Sequence, residues 1–400
     1  MPPNRRDFLK TAGIFGTGLA LSPSLSLATG RGSAGQPDGE MDTAAPGGGQ
    51  APSRKILVFG GTGFIGPNTV RYAVERGHDV TIFTRGRSTI DVPGVERLVG
   101  DRNDNHDALL GRSWDVVIDN NASRDYRWVQ RSTEILRDAV DHYIFVSSIS
   151  AYRIDPELSR ADRVLENPIV DASHPRLEKP DDWSEGEPLE YGPMKAYCED
   201  IVHAAFPGRA TVVRPGLIVG PGDPTDRFTY WPVRISEGGK VLAPGNPRHA
   251  NQIIDQRDLT EWIVRLAEQG ITGNFNGVGP ASRLSMAEML YGIRAAFSAP
   301  VEFTWVSTEF LTAQEVTPWQ DLPSWIPGDP LMFVDNASAI ASGLTYRPLA
   351  ATAADTAAWD RSRPVAERST RADAKFGLSR DREKSLLAEW RRLRRADPQT

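Results

Sequence analysis

Residues 56–66 constrain this chain more than any other stretch. Ile56-Leu57-Val58-Phe59 is apolar at every position, so a strand there is buried on both faces, as in a parallel sheet. Gly60-Gly61-Thr62-Gly63-Phe64-Ile65-Gly66 follows at once. Glycines at 60, 63 and 66 permit a tight turn, a close approach of backbone N–H groups to a pyrophosphate, and packing of the next helix on the sheet. A helix from Ile65 to about Arg76 and a second strand over Asp79–Phe83 complete the unit within about 30 residues, the context that makes three glycines a site. The expected fold class is therefore α/β, a Rossmann-type doubly wound parallel sheet, with Gly60, Thr62, Gly63, Phe64, Ile65 and Gly66 against a dinucleotide.

The residues after the second strand bear on which dinucleotide. A carboxylate there would accept from the ribose 2′-hydroxyl of NAD, but the chain reads Thr84-Arg85-Gly86-Arg87-Ser88. Arg85 and Arg87 suit the 2′-phosphate of NADP by charge-assisted pairing, which favours NADP over NAD; the alternative is that both face solvent. A third strand, Val95–Val99, leads to Asp101 and Arg102, which are assigned to the cofactor site. Asp101 is placed to accept from the adenine amino group or to cap a helix beginning near Asn105. The fourth strand, Trp114–Asp119, ends at Asn120 beside the expected nicotinamide ribose, and a helix from Arg124 to Val140 returns to a fifth strand, His142–Val146.

That strand runs into Ser147-Ser148-Ile149-Ser150-Ala151-Tyr152, and some forty residues on comes Tyr191-Gly192-Pro193-Met194-Lys195. Tyr191 and Lys195 are one helical turn apart on one face. Hydride transfer at carbon needs a group that gives or takes the alcohol proton, and a phenol titrating at about 10 is poorly matched to pH 7 until an ammonium stabilises its anion. A serine hydroxyl on the same substrate oxygen orients it and stabilises developing charge.

With these residues, and with Val213-Arg214-Pro215-Gly216 and Gly220-Pro221 downstream, the chain resembles the extended short-chain dehydrogenase/reductases, the NAD-dependent epimerase/dehydratase branch, over roughly Lys55–Pro348. The resemblance implies that Ser148, four residues before Tyr152, is the catalytic serine. It makes Tyr191 the general acid/base, Lys195 its activator and a ribose ligand, and it sets Pro215 and Gly216 beside the nicotinamide. The bland alternative for these residues is that Ser147 and Ser150 only bond backbone, Tyr152 only packs, and Tyr191 with Lys195 is a chance Tyr-x-x-x-Lys match. One relative of this pattern, the chloroplast stem-loop RNA-binding branch, offers a rival in which the Rossmann body is a catalytically silent RNA- or ligand-binding protein.

The chain opens with Asn4-Arg5-Arg6-Asp7-Phe8-Leu9-Lys10 and an uncharged run to Gly30, which resembles a twin-arginine export signal cut after Ala28. Residues 1–28 are read as that signal and 29–53 as a flexible linker, too poor in apolar side chains to offset ordering entropy. The nucleotide-binding part is expected over 54–225, a smaller substrate lobe interleaved with the sheet over 226–365, and a C-terminal helix within 366–400. Export implies a periplasmic or extracellular protein that passes through the twin-arginine machinery with its cofactor loaded. Its partner is a small-molecule substrate, and a homodimer stays open. A net charge of −6 gives no global pull on nucleic acid, and one cysteine with six scattered histidines gives no zinc pattern, so no metal is expected. Cys198 reads as a packed core thiol. Aromatic, Pro-rich segments around Phe228–Trp231 and Trp319–Trp325 serve either as a pocket wall or as the lobe's core. Where nucleotide-sugar enzymes of the family carry an arginine before Ile253, this chain has Asn251 and Gln252, which points to a sugar or other small secondary alcohol without a nucleotide.

Overall fold

The computed structural model describes residues 52–88, 92–120, 125–370 and 374–396. The expected export signal and nearly all of the linker lie outside the described residues. Strands β1 (Lys55–Phe59), β2 (Asp79–Thr84), β3 (Glu96–Val99), β4 (Trp114–Asp119), β5 (Val140–Val146), β6 (Ala210–Pro215) and β7 (Gly273–Gly277) form one parallel sheet. Their order is β3-β2-β1-β4-β5-β6-β7. The chain reverses direction across the sheet between β1 and β4, and in such sheets ligands bind at the carboxyl ends of the strands at that crossing point. This is the doubly wound α/β fold that the glycine loop predicted.

Helices α1 (Gly66–Glu75), α2 (Arg127–Leu136), α3 (Tyr191–Ala205) and α4 (Gln256–Gln269) cover the two faces. Alternation along β1 sends Ile56 and Val58 into one core with Val70 of α1 and Trp262 of α4. Leu57 and Phe59 share the opposite core with Val129 of α2 and Cys198 of α3. The largest departures from the expected boundaries lie at α2 and β5. The helix expected over Arg124–Val140 is α2, ending at Leu136, and β5 opens at Val140 rather than His142. The cause is burial: Val140 pairs with Trp114 and is 3% exposed, so it is drawn into the sheet.

Between β6 and α4 the chain leaves the sheet, returns to lay down α4 and β7, then leaves again. The excursions build the lobe around a parallel pair, Gly239–Pro244 with Val301–Val306, and helices including Tyr230–Ser236 and Met286–Arg294. Phe228, Trp231 and Trp325 are buried within it, so these aromatic residues are the lobe's core rather than an open wall. The helix Arg380–Ala396 buries Leu386, Leu387 and Trp390 there, while Arg391, Arg392, Arg394 and Arg395 are exposed. Its Glu383, buried, accepts from Arg234 Nε at 2.6 Å and from the Leu242 amide at 3.0 Å, which fixes it to the lobe.

Candidate active site

The glycine loop is shaped by what a side chain would strike. Gly60 sits at φ 73°, and a Cβ on Gly66 would fall 2.1 Å from the Gly60 carbonyl oxygen, so the loop closes only with glycine at both ends. Gly63 differs. Its nearest obstacle is that same carbonyl at 3.4 Å and it is exposed, so the space above it is left to an approaching ligand. Ile65, the residue before α1, offers no side-chain cap, and no acid lies in the first turn. Of the first-turn amides, Gly66 N–H donates to the Gly63 carbonyl at 3.2 Å and Pro67 has none, so Asn68 N–H is the one that suits a phosphate oxygen. Thr62 and Phe64 are half-buried on the loop, and Ile65 is buried beneath it.

At the end of β4, Asn120 donates from Nδ2 to Thr69 Oγ1 at 3.4 Å, while its buried Oδ1 has no partner among the described residues. An orphaned acceptor at the carboxyl edge, beside an open glycine loop, fits a dinucleotide ribose or amide. Arg85 and Arg87 are exposed just past β2. Asp101 is half-buried, and its Oδ1 accepts from the backbone and side-chain nitrogens of Asn103 at 3.0 and 2.7 Å. Arg102 faces inward: its terminal nitrogens reach Asp119 at 2.6 and 2.8 Å, the Trp128 carbonyl at 2.9 Å and Ser132 Oγ at 3.0 Å. Its guanidinium lies 4.4 Å from the Phe59 ring centroid. Arg102 thus serves the site by neutralising the fully buried Asp119 under the strand ends, an inward role that differs from a cofactor ligand's.

The serine loop and the Tyr191–Lys195 pair come together where α3 starts. A Cβ on Gly192 would lie 2.6 Å from the Ser150 carbonyl oxygen, so the first turn of α3 packs directly on the serine loop. Ser148 is buried, and its Oγ accepts from the Ser150 amide at 3.1 Å, leaving its own O–H to donate. Lys195, also buried, donates from Nζ to the Val146 carbonyl at 2.8 Å. That bond holds the ammonium 5.8 Å from the Tyr191 ring centroid and 5.0 Å from that of Phe145, with two N–H donors still to place. Tyr191 is half-buried, and its hydroxyl takes part in no hydrogen bond among the described residues. Tyr143 and Tyr152 are fully buried, with hydroxyls committed to Asp119 and Asn276. Burial raises the pKa of both phenols. Pro215 ends β6 in register with Gly277, near this edge.

A buried network beneath the serine loop escaped the sequence reading. Ser147 Oγ donates to Glu199 Oε1 at 2.5 Å, so this serine bonds a carboxylate rather than backbone. Arg214 grips Glu199 at 2.9 and 2.7 Å and donates to Tyr152 Oη at 2.8 Å, which in turn donates to Asn276. Tyr152 therefore does more than pack. The signal was present: Arg214 is the one charged residue in the strand Ala210–Pro215, and a buried guanidinium demands a carboxylate, with Glu199 four residues past Lys195 on one helix face. Cys198 is buried, and burial pushes its thiol up to about 12, as suits a packed thiol.

Fold and site together define a Rossmann-type α/β protein with a serine loop after β5 and a tyrosine and a lysine in the first turns of α3 packed beside it. Residues 56–277 match the NAD dependent epimerase/dehydratase family, and the chain belongs to that family. It is 35% identical over 134 residues to the chloroplast stem-loop binding protein of 41 kDa b of Arabidopsis thaliana, covering 29% of this chain and about a third, 34%, of that one. It is 29% identical over 261 residues to the 2-alkyl-3-oxoalkanoate reductase of Stenotrophomonas maltophilia, 62% of this chain and 76% of the reductase. The structure of the Bordetella bronchiseptica enzyme WbmH with NAD+ shares the fold, with a TM-score of 0.54 at 18% identity over 78% of this chain and all of that one.

Proposed function

We propose that this protein is an NAD(P)-dependent oxidoreductase or epimerase acting at a carbinol carbon of a small sugar-like substrate. The observation that carries the reading is the Lys195 ammonium, tied to the Val146 carbonyl and held beside a tyrosine whose hydroxyl is uncommitted. When bound, the nicotinamide would give or take the hydride at that carbon. Tyr191 Oη would move the alcohol proton, with the neighbouring ammonium stabilising its anion. Ser148 Oγ would donate to the same substrate oxygen. Lys195, buried with donors to spare, would hold the ribose hydroxyls, and Asn120 Oδ1 would accept from the cofactor.

Arg85 and Arg87, with no carboxylate between them, support NADP over NAD. The Arg5-Arg6 segment supports export through the twin-arginine route to the periplasm or beyond. There a free nicotinamide pool is absent, so the cofactor would travel preloaded. A second reading, a catalytically silent RNA-binding protein, draws on the match to the stem-loop binding protein. The acidic balance of 52 Asp and Glu against 46 Lys and Arg weighs against it.

The test is Tyr191→Phe, assayed for turnover and for dinucleotide binding, alongside mass spectrometry of the small molecule released on denaturation. The expected outcome is stoichiometric NADP(H) or NAD(H) and a kcat lowered about 10²- to 10⁴-fold with binding intact. A protein that neither carries nor binds a dinucleotide would sink the proposal.

A further inference from the structure

The loop after residue 219 carries polar groups that the proposed chemistry does not use. It follows a short strand, Leu217–Val219, paired in parallel with Ile253–Asp255 immediately before α4. Gly222 places the loop against the glycine motif, since its Cβ position lies 3.7 Å from the Phe64 ring. The backbone is held in an uncommon shape: Gly222 sits at φ 90°, and buried Asp226, a non-glycine residue, at φ 59°. Asp226 is anchored by Arg363 Nη2 at 2.8 Å, and Arg227 lies 4.9 Å over the Trp319 ring while donating from Nε to Thr225 Oγ1. Such strain persists only where surroundings overdetermine it, and it concentrates at functional positions.

Asp223 is the residue this shape presents. It is 1% exposed. Its Oδ1 accepts from the Thr225 amide at 2.9 Å and from Thr225 Oγ1 at 2.6 Å, so one oxygen faces its own loop. Its Oδ2 is buried with no partner among the described residues. Two more orphans border the same loop: Thr229 Oγ1, and Oε1 of Gln256, whose Cγ lies 3.4 Å from the Cβ position of Gly220. Burying an unpaired carboxylate oxygen is costly, and burial does raise the pKa of Asp223, against the opposing pull of Arg227 and the Thr225 bonds.

We infer that loop 220–229 is a substrate subsite in which Asp223 Oδ2 and Gln256 Oε1 accept hydrogen bonds from a neutral, unphosphorylated polyol. The inference rests on the proposed dinucleotide chemistry and adds the substrate's class. A carboxylate and an amide oxygen ask the ligand for donors, which adjacent hydroxyls supply, with Thr229 able to give or take. A phosphate or carboxylate would bring more acceptors and a like charge into a desolvated place.

Asp223→Asn tests this, because asparagine keeps the Oδ1 acceptor for Thr225 and turns the other atom into a donor. Dinucleotide binding is measured first, in both proteins. The probes are unphosphorylated aldoses and cyclitols with their matching monophosphates, read by cofactor reduction and by thermal shift of the dinucleotide-loaded protein. Expected are a response to the neutral polyols and not to the phosphates, and a KM raised on the order of ten- to a hundredfold in the variant, with kcat and dinucleotide affinity nearly unchanged. The melting temperature without polyol should stay level or rise, since the variant removes an unpaired buried charge. A purely structural Asp223 would lower the melting temperature and leave KM alone, which overturns the inference, as does a dinucleotide-loaded protein that ignores every neutral polyol or prefers the monophosphates. Loss of dinucleotide binding in the unaltered protein is the separate result that removes the chemistry beneath it.

Discussion

Glu199→Ala removes the acceptor on which Ser147, Arg176 and Arg214 converge. Glu199 is 0% and Arg214 2% exposed, so the variant leaves a guanidinium in the interior with, among the described residues, only Tyr152 Oη and the Ala172 carbonyl to bond. Breaking such a buried pair from one side costs about 3–5 kcal/mol, because the surviving charge stays desolvated. Against a total stability of about 5–15 kcal/mol, that loss shifts the urea midpoint strongly. The second arm is Glu199→Ala with Arg214→Met, where no charge is stranded and most of the loss should return. Urea unfolding followed by fluorescence gives all three values. A single variant costing under about 1 kcal/mol, or a double variant no better than the single, would refute the claim that Arg214 depends on Glu199.

Two further outcomes follow from geometry and charge. Gly66→Ala drives a methyl into the Gly60 carbonyl, so dinucleotide affinity measured by calorimetry should fall at least tenfold, and unchanged binding would show that the loop relaxes freely. Burial, with a smaller push from Arg54, holds His142 down to about 4 from an ordinary value near 6.5. The unfolded chain then binds the extra proton between these values, so stability is complete above about pH 6.5 and falls as pH drops towards 4, by about 3 kcal/mol from this residue. His106 and His249, also lowered chiefly by burial, add to the same slope. Urea midpoints from pH 4 to 7 for the protein and for His142→Gln check this, the variant being expected to flatten the profile.

The parts of the site that are local in sequence were readable from it. The glycine loop announces itself because turn, phosphate approach and helix packing all act within seven residues. Tyr191 and Lys195 share a helix turn, and the order of strands needs only apolar runs and short connections. Pairings across long separations were not readable. Nothing near Arg102 says that its guanidinium will turn inward to Asp119, because that choice belongs to the strand order, which sets β4 beside β1. Asp223 is likewise invisible as a subsite in Gly220-Pro221-Gly222-Asp223: the loop around it is held by contacts of Gly220 with α4, Arg227 with Trp319 and Asp226 with Arg363, all brought in from later in the chain.

The two visits to the lobe, one on either side of α4 and β7, bear on how this protein is made. A ribosome delivers β1 to β6 early, but Trp262 of α4, which fills one face of the sheet, and β7, which closes its edge, come only after the first lobe segment. Glu383, which ties the last helix to Leu242 and Arg234, comes later still. Nascent chains should therefore acquire protease resistance in one late step, with a half-built sheet exposed to chaperones until then. Sheet and lobe should also melt together, so a fragment ending near residue 225 is expected to aggregate rather than fold.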